Sequence, residues 1–362
     1  IFVFSNGYDI GSEAQYLTFS SGNGITANSG NGSLFLKGVD TNISTSKIFS
    51  NGNIGLIATG VGNVLIDDDL TTTGGYIDIV VNTALDLNHK LQAAGDITLQ
   101  VNGAVTQNGY TDNALVSGAN VYINTNSNAI GTDTNSVKVS ASGQVNAEGS
   151  DIYLGSKGAD FNAGNITSSG ENIKITTEDS GQVNLKGLVT GKNLTVNSAD
   201  GIYQSGTDKT IDVSNALVLN TTNNDIGRQD NAVIFKAGSV SAAATNGSIV
   251  LKGIDTDIHT STIDAGKNID LSTELTDESL QSGNIFVENN LVTSNGYINL
   301  DSAKALHIDK NIEAGHSITL NANGGIEQVG SSQIKAGTSS DAQDGSVTIT
   351  NNGSGNISLG SV

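Results

Sequence analysis

The stretch Asn31-Gly32-Ser33-Leu34-Phe35-Leu36-Lys37-Gly38-Val39-Asp40-Thr41 returns 215 residues later as Asn246-Gly247-Ser248-Ile249-Val250-Leu251-Lys252-Gly253-Ile254-Asp255-Thr256. The exchanges Leu34/Ile249 and Val39/Ile254 swap one aliphatic side chain for another, as a stacked core requires. Further along, Ile97-Thr98-Leu99 with Val105, Gln107 and Gly109 reappears as Ile318-Thr319-Leu320 with Ile326, Gln328 and Gly330, now at an offset of 221. The same pattern occurs a third time as Leu194-Thr195-Val196 with Ile202, Gln204 and Gly206. Residues 31–109 and 246–330 are therefore two copies of one long repeat.

Within and between these copies, short alternating triplets recur: Ile54-Gly55-Leu56, Val64-Leu65-Ile66, Leu85-Asp86-Leu87, Ile152-Tyr153-Leu154, Ile173-Lys174-Ile175, Ile269-Asp270-Leu271 and Ile298-Asn299-Leu300. Each predicts a short strand with two side chains inward and one outward. The triplets at 152, 173 and 194 are spaced by 21 residues, and the pairs 249/269 and 298/318 by 20. A strand that returns at this interval lies above its predecessor, which predicts an all-β solenoid of about 20 residues per coil. Sandwiches and barrels do not need such a register. The chain has no proline, which suits strands whose N–H groups serve neighbours on both sides.

Composition points the same way. The 362 residues include 45 glycines and no cysteine, methionine or tryptophan, so the core must come from Ile, Val, Leu and Ala in a thin, repeated section. The formal charge of −20 repels polyanions and excludes nucleic-acid binding as a working role. No apolar run is long enough to span a membrane, so no membrane insertion is expected. Absence of cysteine is compatible with the cytosol and also suits a chain that crosses the oxidising periplasm unfolded.

One unit, Val121-Tyr122-Ile123-Asn124 running to Asn128-Ala129-Ile130-Gly131 and Val137-Lys138-Val139, is echoed by Leu217-Val218-Leu219-Asn220, Asn224-Asp225-Ile226-Gly227 and Val233-Ile234-Phe235. In these units, which cover most of the chain, the sequence resembles the filamentous haemagglutinin-like adhesins, large exported proteins of bacterial two-partner secretion. The resemblance implies a right-handed parallel β-helix on the bacterial cell surface and secretion through an outer-membrane partner pore. It further implies attachment to a host or neighbouring-cell receptor or glycan, cell–cell contact or biofilm cohesion.

Chemistry is sparse. Polysaccharide-cleaving sites need converging carboxylates, usually beside Arg or Lys, and Arg228 is the only arginine. The densest acidic run, Asp67-Asp68-Asp69, corresponds to Glu288-Asn289-Asn290 in the second copy and reads as a solvated corner. His89, His259, His307 and His316 lack the spacing of a metal pair and read as surface or turn residues. No catalytic, cofactor-binding or metal residue is assigned. Calcium held by the excess carboxylates is the one cofactor left open, with no coordinating set to name. Gly109, Gly131, Gly206, Gly227 and Gly330 read as corners that need positive φ, and corner Asn and Asp as hydrogen-bonded ladders or turn formers.

The expectation is thus residues 1–362 as one continuous β-helix segment of a longer filamentous protein, a structural and adhesive rod and not an enzyme. A filament subunit that polymerises head to tail with copies of itself, and a β-helix polysaccharide lyase or hydrolase, are the alternatives. Ile1-Phe2-Val3-Phe4 and Asn356-Ile357-Ser358-Leu359 both look like uncapped ladder strands, so further coils or another subunit are expected to continue the sheets. The offset grows by six between Ile269 and Ile285. An inserted loop within residues 272–283 is expected, carrying Glu274, Asp277 and Glu278 outward.

Overall fold

The computed structural model describes residues 1–20, 25–107, 115–339 and 345–360. They form a β-solenoid of parallel strands with roughly 21 residues per turn, and no helix occurs among the described residues. The chain divides into two compact units, Ile1–Thr176 and Thr177–Val362.

In the first unit, one face is the ladder Leu34–Val39, Ile54–Thr59, Ile77–Val81, Ile97–Val101, Val121–Asn124 and Val145–Gly149. Its inward register runs Leu34, Ile54, Ile77, Ile97, Val121, Val145. Successive coils thus measure 20, 23, 20, 24 and 24 residues, and the surplus leaves at the corners while the ladder keeps its register. A second face carries the strand Ile43–Ser50, above which the chain breaks into Val64–Ile66 and Leu70–Thr72, both paired to it. Asp67-Asp68-Asp69 is the corner between those two short strands.

The second unit repeats the plan. Ile249–Ile254, Ile269–Glu274, Ile298–Ser302 and Ile318–Ala322 stack on one face. On another, Ile258–Ala265 pairs with both Ile285–Val287 and Leu291–Thr293. The corner chemistry recurs as well: Thr45 Oγ1 accepts the Asp67 N–H at 3.1 Å, and Thr260 Oγ1 accepts the Glu288 N–H at 3.1 Å.

The aliphatic columns hold each unit together. Leu34, Ile54, Ile97, Ile249, Ile269 and Ile318 are fully buried; each such side chain contributes about 1.5–3 kcal/mol relative to exposure. Polar groups at the corners are satisfied from inside. The recurrent glutamine, whose role was not legible in the sequence, is buried at Gln204, where its Oε1 accepts the Ile234 N–H (2.9 Å) and the Thr210 hydroxyl (2.8 Å). Its Nε2 donates to the Gly206 and Asp208 carbonyls (3.1 and 3.0 Å), pinning the loop that follows. Gln107 Oε1 likewise accepts the Lys138 N–H at 2.8 Å.

The insertion lies where the repeat offsets put it. Ile285 is buried in register with Ile258, Asp277 and Glu278 are exposed on the loop, and the Thr273 hydroxyl donates to the Gly283 carbonyl (2.7 Å) across its base. Glu274, expected on the loop, instead ends the strand Ile269–Glu274, where the ladder register with Ile254 holds it and Lys252 pairs with it at 2.7 Å. Gly131, Gly206, Gly227 and Gly330 all have positive φ; Gly109 lies outside the described residues. Asn ladders form as well, with Asn51 Nδ2 donating to Asn31 Oδ1 (2.6 Å) and Asn220 Nδ2 to Asn197 Oδ1 (2.9 Å).

Candidate functional site: an acid-lined groove beside a flap

Three four-residue turns are built to one pattern. Ser12 and Gln15, Thr132 and Asn135, and Arg228 and Asn231 each exchange two backbone hydrogen bonds of 2.9–3.1 Å. Each follows an Ile-Gly pair whose isoleucine bridges to the next coil: Ile10 to Leu34, Ile130 to Ile152, Ile226 to Ile249. The glycine turns the chain across the outer sheet surface with φ of 72°, 67° and 72° at Gly11, Gly131 and Gly227. A Cβ at Gly11 or Gly131 would sit 2.6 Å from the carbonyl oxygen of Phe35 or Tyr153. These flaps explain why some outward positions are buried: Phe35 and Gly55 in the first unit, Val250 in the second.

The third residue after each isoleucine is acidic in two flaps, Glu13 and Asp133, and neutral in the third, Gln229. Asp133 is neutralised by Lys174, whose Nζ lies 2.7 Å from its carboxylate. Glu13 instead accepts a hydrogen bond from the Tyr76 hydroxyl and lies close enough to Asp78 to raise its pKa. Burial is the larger cause, pushing the Asp78 carboxyl above its ordinary range, with the Glu13 charge adding to it. Asp78 Oδ1 is fully buried and has no hydrogen-bond partner. Tyr16 packs edge-on against Phe35, with ring centroids 5.5 Å apart, and both Tyr16 and Tyr76 are raised, chiefly by burial. In the second unit Tyr297 and Asn299 occupy the places of Tyr76 and Asp78. There the acid sits one coil lower, as Asp270, and accepts from Asn299 Nδ2 at 3.2 Å.

From Asp78 a groove runs along the outer sheet face of the first unit. Two columns line it: Asp78, Thr98, Tyr122, Asn146 in one, and Gln100, Asn124, Glu148, Thr167 in the other. Two concavities of about 700 and 710 Å³ make up the groove and share Thr98 and Gln100. Tyr122 is 41% exposed in its middle. Among the described residues the lining includes Asp78, Asp96 and Glu148 and no Lys, Arg or His. Asp96 Oδ1 accepts from the Asn120 N–H and Nδ2 (3.0 and 2.9 Å), and Glu148 Oε2 from Asn124 Nδ2 (3.0 Å).

The residues singled out from sequence lie elsewhere. Asp67 accepts from the Ser44 hydroxyl (2.6 Å) and from Asn88 Nδ2 (2.9 Å), and Asp69 is exposed. The solenoid brings His89 to them: ligand atoms of Asp68, Asp69 and His89 lie within 4.8 Å of one another. Local spacing hides this group because its members meet through one coil length. Its carboxylates accept hydrogen bonds from the Asp69 and Lys90 N–H groups, and His89 Nδ1 lies 3.7 Å from Asp69.

His259 and His307 are strand residues and do not sit at turns. They sandwich Phe286, with centroids 4.5 and 4.7 Å apart and planes within 5°, and pair with Glu288 (3.1 Å) and Glu327 (3.4 Å). His316 is exposed in a turn. The sequence reading missed Glu13, Tyr76, Asp78 and the groove; the available signal was Ile10-Gly11, which matches Ile130-Gly131 and Ile226-Gly227. Comparison with known proteins found no matching family model, no similar curated protein and no similar solved structure.

Proposed function

We propose that this chain is a structural and adhesive module of a bacterial extracellular filament, a β-solenoid scaffold that displays binding surfaces and does no chemistry of its own. One observation carries the reading. On the face that carries Ile43 and the strands stacked on it, inward positions stay aliphatic in both copies of the long repeat, whereas the outward positions beside them change. Ile43, Val64, Leu85 and Val105 correspond to Ile258, Ile285, Leu306 and Ile326, all inward aliphatics. Beside them, Ser44, Leu65, Asp86 and Thr106 correspond to His259, Phe286, His307 and Glu327. A backbone held constant under a changing surface is the pattern of a display scaffold. The likeness of the coil units to filamentous haemagglutinin-like adhesins supports the same reading, as does the negative charge, which disfavours polyanionic partners.

Lyase chemistry on an anionic polysaccharide needs a cation beside the developing charge, and the described groove residues supply none. The test is attachment. Beads carrying the purified chain are expected to bind bacterial or host cells above the level of beads carrying an unrelated acidic protein. Equal binding by the two bead types would defeat the adhesive reading. Hydrolysis of a polysaccharide that is lost in Asp78→Asn or Asp68→Asn would overturn the non-enzymatic part.

A further inference from the structure

We infer that the groove between Asp78 and Thr167 binds an uncharged oligosaccharide laid along the solenoid axis, with Tyr122 as the surface against which one sugar ring packs. This rests on the adhesive reading and names the ligand class and the site. The lining has the chemistry of a polyhydroxylated ligand: amides at Gln100, Asn124 and Asn146 and hydroxyls at Thr98 and Thr167 offer both donors and acceptors. Tyr122 is exposed in the centre of the groove, flanked along the axis by Thr98 and Asn146. An amphipathic ring so placed packs against the apolar face of a sugar while the amides around it take the hydroxyls.

Geometry sets the direction. The polar rungs repeat once per coil, about 4.8 Å apart, close to the advance of one sugar residue in an extended chain. A linear glycan therefore meets a new rung of outward side chains at each residue, whereas a peptide strand would find no free sheet edge on this face. Charge sets the class. Three carboxyl groups and no cation among the described lining residues reject uronic acids, sulfated sugars and phosphates. Of the three acids, Asp96 and Glu148 already accept hydrogen bonds from Asn120 and Asn124, and Asp78 is half-buried beside Glu13, so the freely offered groups of the groove are its amides and hydroxyls.

The experiment uses the whole chain and titration calorimetry with four probes: cello-oligosaccharides, chito-oligosaccharides, oligogalacturonate and a heparin fragment. At least one neutral probe is expected to bind and both anionic probes to fail. Tyr122→Ala should weaken the neutral ligand at least tenfold, and Tyr122→Phe should leave it within about twofold. Tyr122 is exposed, so circular dichroism of Tyr122→Ala should match the parent and show that the fold is intact. Binding of an anionic probe as tight as any neutral one, binding of none of the four, or an affinity indifferent to Tyr122→Ala each overturns the proposal. The bead assay separates the two readings. If parent and Tyr122→Ala beads attach equally well, the groove fails while the adhesive role stands; if parent beads do not attach, the adhesive role fails.

Discussion

The Tyr76 hydroxyl donates a hydrogen bond to the Glu13 carboxylate across 63 residues of chain, tying the first flap to the third coil beyond it. The bond holds Glu13 beside Asp78, a carboxyl whose pKa is raised by burial and by that neighbour, and whose Oδ1 is buried without a partner. The equivalent place in the second flap carries a carboxylate faced by Lys174. Only the first flap, of these two, sets acid against acid.

Flap closure should therefore depend on pH. Asp78 binds its proton more tightly folded than unfolded, so its contribution is fully present below the unfolded carboxyl value near 4 and is lost as pH rises through the raised folded value. Hydrogen-exchange protection of residues 10–17 is expected to fall over that interval. Residues 130–137, with Asp133 paired to Lys174, should not follow. Asp78→Asn should remove the dependence; a pH profile unchanged in that variant would exclude Asp78 as its source.

Removing one rung of the aliphatic column should cost far more than removing a surface contact. Ile97 is fully buried between Ile77 and Val121, so Ile97→Ala should destabilise the first unit by about 2–5 kcal/mol. Thr98→Ala, one residue away and outward, should stay within about 0.5 kcal/mol. Urea unfolding checks both, and equal effects would contradict the inward assignment.

Gln204→Ala should strip acceptors from the Ile234 N–H and the Thr210 hydroxyl, and donors from the carbonyls of Gly206 and Asp208. Each buried group left unpaired costs about 1–3 kcal/mol. The expected signature is faster proteolysis in residues 205–210 together with a lower unfolding midpoint. A midpoint equal to the parent's would show that water replaces the side chain at no cost.

Deleting residues 276–281 should leave the fold intact. Thr273 and Gly283 close the base of this loop, and Ile285 keeps its register with Ile258. Circular dichroism and the urea midpoint are expected to match the parent within about 0.5 kcal/mol. Loss of cooperativity would mean that the loop helps set the register.

The Ile/Leu/Val triplets, their spacing and the two copies of the long repeat determined by themselves that this chain is a solenoid of parallel strands. They also located the inserted loop and the glycines at its corners. Those properties are local: an inward Ile97 or Ile318 is specified by its own alternating neighbours, and a corner such as Gly131 by its own backbone. Tertiary structure alone decided which outward side chains meet. Coils of 20 to 24 residues shift the partners unpredictably. Thus His89 reaches Asp69 through one coil, Phe286 enters between His259 and His307, and Glu13 reaches Tyr76 over three. Such contacts depend on the number of residues each corner absorbs, which the inward pattern leaves free, because a corner can lengthen into solvent without disturbing the column beneath it.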